Sequence, residues 1–161
     1  MINIHYLFSK NNKIGSYLIR LGSYFVNRNV DFNDIPSHVA ILIDDTYVIE
    51  SVMHGGVRII PYNKWLEINT EVSKIKADKF VEHPRDLMFE MWGKEYDMKG
   101  ILYFTCCIIK HKLFKTPMPA YNKYEQEDKY FCTEFASRIY DGNTGSMRTP
   151  LSLRELINGK I

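Results

Sequence analysis

Only three cysteines occur in the 161 residues, and two of them, Cys106 and Cys107, are neighbours. An odd count with adjacent members makes a poor disulfide scaffold and points to a reduced, cytoplasmic setting. No Cys-x-x-Cys or His-x-x-x-His pair is present, and His5, His83 and His111 share no ligand spacing with any cysteine or acid. A metal site is therefore not expected, and the lack of a glycine-rich phosphate or dinucleotide fingerprint removes the common reasons to expect a cofactor. An excess of one charge is missing too: 21 Lys and Arg face 19 Asp and Glu, a formal net charge of +2. That balance offers no basic stripe of the kind duplex nucleic acid selects, so nucleic acid is not an expected partner. Long apolar runs are also lacking. The strongest, Ile101 to Ile109, has nine residues, about half of the roughly 20 a membrane span needs, and reads as a buried helix with Cys106 and Cys107 in the core. The first residues, MINIHYLFSKNNK, have no basic start, apolar run and small-residue cleavage site, so neither a secretory leader nor an integral membrane segment is expected.

What the chain does have is core material. Hydrophobic residues make up 45% and aromatic residues 14% of it, enough for one well-packed domain over residues 1–161 and too short a chain for two. Ile2, Ile4, Tyr6 and Phe8 alternate with Asn3, His5 and Leu7, the period of a strand. Asn11 and Asn12 offer caps for a helix on which Ile14, Tyr17, Leu18, Leu21 and Phe25 recur at spacings of three and four. Val39 to Ile43, a turn at Asp44 and Asp45, and Tyr47 to Val52 read as a hairpin. Val57 to Ile60 follows as a strand, Pro61 opens a short helix through Trp65 and Leu66, and Glu71 to Ala77 gives another strand. Beyond it the pattern is helical: from Pro84 towards Gly93, Ile101 to Ile109, Phe131 to Tyr140, and a last helix capped by Thr149 with Pro150 in its first turn. Strands followed by helices predict an α+β domain with an antiparallel sheet.

Cys132 stands at the start of a predicted helix, where the helix dipole and unsatisfied amides favour a thiolate. The alternative is a small buried apolar side chain. His38 opens a strand just after Ser37, a rigid place from which an imidazole can act as general base. Glu50 interrupts the apolar run Tyr47-Val48-Ile49, and an acid there needs a partner. The hairpin tests whether the two meet. A three-residue connection, Asp44 to Thr46, makes opposed residue numbers sum to 90, puts Ala40 opposite Glu50 and leaves His38 diagonal to it on the same face. A two-residue turn would put them on opposite faces. If the three groups converge, Cys132 attacks a carbonyl, His38 moves the proton and Glu50 orients the ring. The amide of Cys132 and the hydroxyl of Tyr96 are candidate oxyanion donors. His54, in a Gly-rich bend, is a candidate to line the cleft, with a solvated loop histidine as the alternative. The connection from Phe114 to Tyr130, about 17 residues long, exceeds the usual limit for structureless loops and reads as a lid, a substrate flap or a mobile surface loop.

Five stretches carry a family likeness: Ser37 to Leu42 (SHVAIL), Val48 to Ser51 (VIES), Gly56 to Ile59 (GVRI), Gly93 to Asp97 (GKEYD) and Tyr130 to Glu134 (YFCTE). With the closing Thr149 to Leu153 (TPLSL), they resemble the circularly permuted NlpC-type, papain-like cysteine hydrolases, the YiiX-like group. The resemblance implies a permuted papain-like fold in which the histidine precedes the cysteine. It implies Cys132 as nucleophile, His38 as base, Glu50 as the third polar residue and Tyr96 near the thiol. It also implies a peptide, peptidoglycan-fragment or lipid-like substrate. Ser51 and Thr133 depart from the family pattern, where Ala and Ser are usual. Two function classes stay open: a hydrolase of amides or esters working through a thioacyl-enzyme, with a lipid acyltransferase as its variant, and a catalytically silent binding module.

Overall fold

The computed structural model describes residues 3–26 and 30–159; Ile2, the first residue of the predicted first strand, lies outside them. The described residues form an α+β domain whose five-stranded antiparallel sheet packs against helices. Strand β1 (Ile4–Lys10) leads into helix α1 (Ile14–Val26), and a 3-10 turn at Phe32–Asp34 precedes β2 (His38–Ile43), β3 (Tyr47–Val52) and β4 (Gly56–Pro61). Helix α2 (Tyr62–Ile68), strand β5 (Thr70–Lys76), and helices α3 (Pro84–Met91), α4 (Met98–Phe114), α5 (Cys132–Asp141) and α6 (Pro150–Ile157) complete the chain. The strand order is β4-β3-β2-β1-β5, with every neighbour antiparallel.

Alternation along the strands sends two sets of apolar side chains to opposite faces. Tyr6, Phe8, Val39, Ile41 and Ile49 meet Met88, Met91, Phe135, Ile139 and Leu153 on the face covered by α3, α5 and α6. Leu7, Ala40, Leu42 and Val48 meet Trp65 of α2 on the other. Tyr6, Leu7 and Phe8 of β1 are fully buried, which is why that strand is apolar on both sides.

The β2–β3 hairpin has the three-residue connection and the register read from the sequence: Ile41 faces Ile49, Leu42 faces Val48 and Ile43 faces Tyr47. Asp44 and Asp45 take left-handed conformations (φ 48° and 53°), which short polar side chains tolerate best after glycine. Their carboxylates also tie down the corner, Asp44 accepting from the amide of Asn3 and from Arg85, Asp45 from Lys74. Helix α6 begins as expected, with Thr149 Oγ1 accepting from Ser152 N at 3.1 Å and Pro150 following.

Helix α4 corrects the sequence reading. The expected buried helix over Ile101 to Ile109 runs from Met98 to Phe114, and its buried residues are Gly100 and Phe104. Leu102, Ile109, Leu113 and Phe114 face outward. Cys106, expected in the core, is exposed, and Cys107 is half-buried. An apolar run names residues that would gain from burial, but α4 packs mainly on α1 and on Phe131 and Met147, so only one flank is covered. No helix among the described residues is long and apolar enough to cross a membrane.

Candidate active site

Strand β2 begins where Ser37 is held. The Ser37 amide donates to Ser9 O at 2.8 Å, and the Ser37 and Ser16 hydroxyls are 2.5 Å apart. This pins the backbone just before His38 to β1 and to the first turn of α1. His38 shares strand parity with Ala40 and Leu42, and Glu50 shares it with Val48. The predicted diagonal is formed: His38 Nε2 lies 2.7 Å from Glu50 Oε2.

The carboxylate of Glu50 is buried and fully engaged. Oε2 also accepts from Trp65 Nε1 at 3.0 Å, while Oε1 accepts from Arg58 Nε and Nη2 at 2.9 and 2.6 Å. Arg58 is delivered by the next hairpin, whose register sets it directly across from Glu50. Burial alone would raise the Glu50 pKa, but the bonds and charges of His38 and Arg58 outweigh it and lower the value to about 2. Burial likewise disfavours the His38 cation, yet the influence of Cys132 and of Glu50 raises its pKa to about 10. Nε2 is engaged by Glu50, which leaves Nδ1 as the other ring nitrogen. The raised pKa favours the imidazolium, which pairs with the Glu50 carboxylate.

Cys132 is the first residue of α5, buried beneath the segment that delivers it. That segment is clamped from both sides: Tyr130 N donates to Glu95 O at 3.0 Å, and Ser51 Oγ donates to Tyr130 O at 2.5 Å. Ser51, one of the two departures from the family pattern, thereby ties β3 to the cysteine-bearing turn. Thr133, the other, donates to Arg148 O at 2.8 Å and fixes the first turn of α5 to the approach of α6. Glu134 reaches back to Phe131 N at 3.2 Å, capping the helix.

Tyr96 is half-buried beside Cys132. Burial, followed by the neighbouring Cys132, Glu134 and Asp97, pushes its hydroxyl pKa upward, so the phenol stays protonated and able to donate. It is one of the residues lining an open groove of about 290 Å³, with Met53, Gly55, Gly56, Gly93, Lys94 and Glu95; Cys132, His38 and Glu50 do not line it. Gly56 takes φ +60°, and a Cβ there would collide with the carbonyl of Lys94. The two chains cross closely because of this, with Val57 N donating to Lys94 O and Gly93 N to Val57 O. His54 sits exposed in the same β3–β4 turn but is not among the groove's lining residues.

Several site residues were not assigned from the sequence. Arg58 stood in a quoted motif without a role, although the Glu50 register names it as the cross-strand partner. Trp65 carried no spacing signal. Asn122 had none either, yet its Nδ2 donates to Asp97 Oδ2 and Glu134 Oε1 at 2.9 and 2.8 Å inside the fold. No group of three or more His, Cys, Asp or Glu suited to a metal ion is found among the described residues. No family model, curated protein or solved structure matches the chain.

Proposed function

We propose that this chain is a cysteine hydrolase of the permuted papain-like kind, acting on an amide or ester through a thioacyl-enzyme. The reading is supported by one observation: buried Glu50 holds the His38 ring at 2.7 Å, the arrangement a cysteine hydrolase needs to orient its base. In this mechanism the sulfur of Cys132 attacks the substrate carbonyl and His38 protonates the departing amine or alcohol. A water molecule then attacks the thioester while His38 takes its proton, and the thiol is released. Glu50, fixed by Arg58 and Trp65, keeps the ring oriented and its cation stable. The oxyanion falls between the amide of Cys132 and the hydroxyl of Tyr96.

Alkylation with iodoacetamide tests this, because exposed Cys106 is a built-in control. At mildly acidic pH, peptide mapping should show buried Cys132 modified ahead of Cys106. His38→Ala should reverse the order, and Glu50→Gln should slow Cys132 without touching Cys106. Preferential labelling of Cys106, indifferent to His38→Ala, would overturn the hydrolase in favour of a silent binding module.

A further inference from the structure

The net charge of +2 conceals a segregation. Residues 1–30 and 98–124 contain no Asp or Glu and hold nine of the 21 Lys and Arg, leaving twelve against all 19 acids elsewhere. These two acid-free stretches carry α1 and α4, and the two helices pack together. Gly22 approaches Ile108, and Lys112 Nζ lies over the Phe25 ring at 2.8 Å. Both contacts advance in the same direction along both chains, so the helices run side by side in the same sense.

The outward side of this pair is apolar. On α4, Leu102, Ile109, Leu113 and Phe114 are 61, 52, 67 and 72% exposed, and on α1 Ile14 and Leu18 are 81 and 60% exposed. Spacings of seven and four put Leu102, Ile109 and Leu113 on one stripe, with Phe114 beside its end. Lys99, Lys110 and Lys115 are exposed around it and have no carboxylate partner among the described residues. Asp97, the nearest acid before α4, is buried at its N-cap and bonded to Gly100 N.

We propose that the α1–α4 face docks on an anionic lipid surface, with the apolar stripe of α4 in the headgroup boundary and the lysines on lipid phosphates and carboxylates. An amphipathic helix with bulky apolar residues on one face and lysines beside them is built for that interface. Two same copies joined face to face would set lysine against lysine, which opposes a symmetric dimer. A nucleic acid would satisfy the lysines but bury none of Leu113 or Phe114. The proposal concerns where the molecule sits and does not rest on catalysis. Phe104, on the inner side of α4, stacks on Phe131 at 6.1 Å, one residue before Cys132, so the docked helix would lie against the support of the candidate site.

Flotation with vesicles of phosphatidylcholine plus phosphatidylserine, against phosphatidylcholine alone, tests it on the full chain. Protein should float with the anionic vesicles only, and less as salt rises. Lys110→Gln and Lys115→Gln should each weaken partitioning about fivefold. Leu113→Ser with Phe114→Ser should abolish it while thermal unfolding stays cooperative. No flotation at low salt, or flotation unchanged in the folded apolar variant, would overturn the proposal. So would a lipid-free dimer in sedimentation that the apolar variant dissociates, or equal binding to a DNA oligonucleotide that needs the lysines but not Leu113 and Phe114.

Discussion

Glu50 shows how a buried charge is made tolerable. Its two oxygens accept from His38, Trp65 and Arg58, so no lone pair faces apolar surroundings unmet. The pKa shifts turn this into a stability profile. Glu50, lowered from 4.5 to about 2, adds stability that is complete above its unfolded value and is lost as pH falls towards 2. His38, raised from 6.5 to about 10, adds stability that is complete below its unfolded value and fades as pH rises towards 10. Urea unfolding followed against pH should therefore show this pair's contribution at its plateau between about 4.5 and 6.5. His38→Ala should flatten the alkaline side of that profile. Trp65→Phe keeps a ring in the second core cluster but removes one donor to Glu50. It should cost about 2 kcal/mol in urea unfolding and lower the alkaline limit of Cys132 alkylation, because the carboxylate then steadies His38 less. Of these residues, His38 and Glu50 were legible because strand parity is a rule of two. Arg58 needed the register of a second hairpin, and Trp65 needed a helix folded over the sheet, which no local pattern encodes.

At the level of elements, the long connection between α4 and α5 is held at its middle by Asn122. Asn122 N donates to Gly145 O at 2.7 Å, and its side chain joins Asp97 at the start of α4 to Glu134 in the first turn of α5. Gly100 is the close neighbour of this cluster, since a Cβ there would strike Asp97 and Asn122. Asn122→Leu should therefore free the 115–130 segment, seen as new proteolytic cleavage near exposed Tyr121 and Tyr124 and faster amide exchange there. Gly100→Ala should produce the same pattern by displacing the amide. Glu134 behaves oppositely to Glu50. Burial raises its pKa to about 8 despite the Asn122 and Phe131 bonds. Its protonated form is thus favoured in the fold, and stability falls as pH rises from its unfolded value, near 4.5, through 8. Glu134→Gln should relieve that loss, so the variant gains on the parent in thermal unfolding between about pH 5 and 9. The loop's length was plain in the sequence, but its latch was not: one asparagine among many polar residues has no period and no spacing to mark it. Helix α4 shows the converse, a clear apolar signal whose covered side depended on what packed against it.

Across the whole molecule the near-neutral balance is misleading. With acids absent from two stretches that fold into adjacent helices, the surface is polar in the electrical sense, and local field rather than total charge governs what it meets. The chain should be retained on a cation exchanger at neutral pH more strongly than +2 suggests. Lys110→Gln with Lys115→Gln should elute earlier by more than a pair of lysines removed from the acidic remainder, such as Lys64 and Lys76. Hydropathy period, turn chemistry and capping residues act between near neighbours. For that reason the element order, the hairpin register and the His38–Glu50 pairing could all be read along the chain. Three features required distant segments to be brought together: the clamping of the Cys132 turn by Glu95 and Ser51, the Arg58 and Trp65 grip on Glu50, and the exposure of α4. Each depends on packing across gaps of many residues, where free energy is set by what covers what, and a linear pattern carries no record of that.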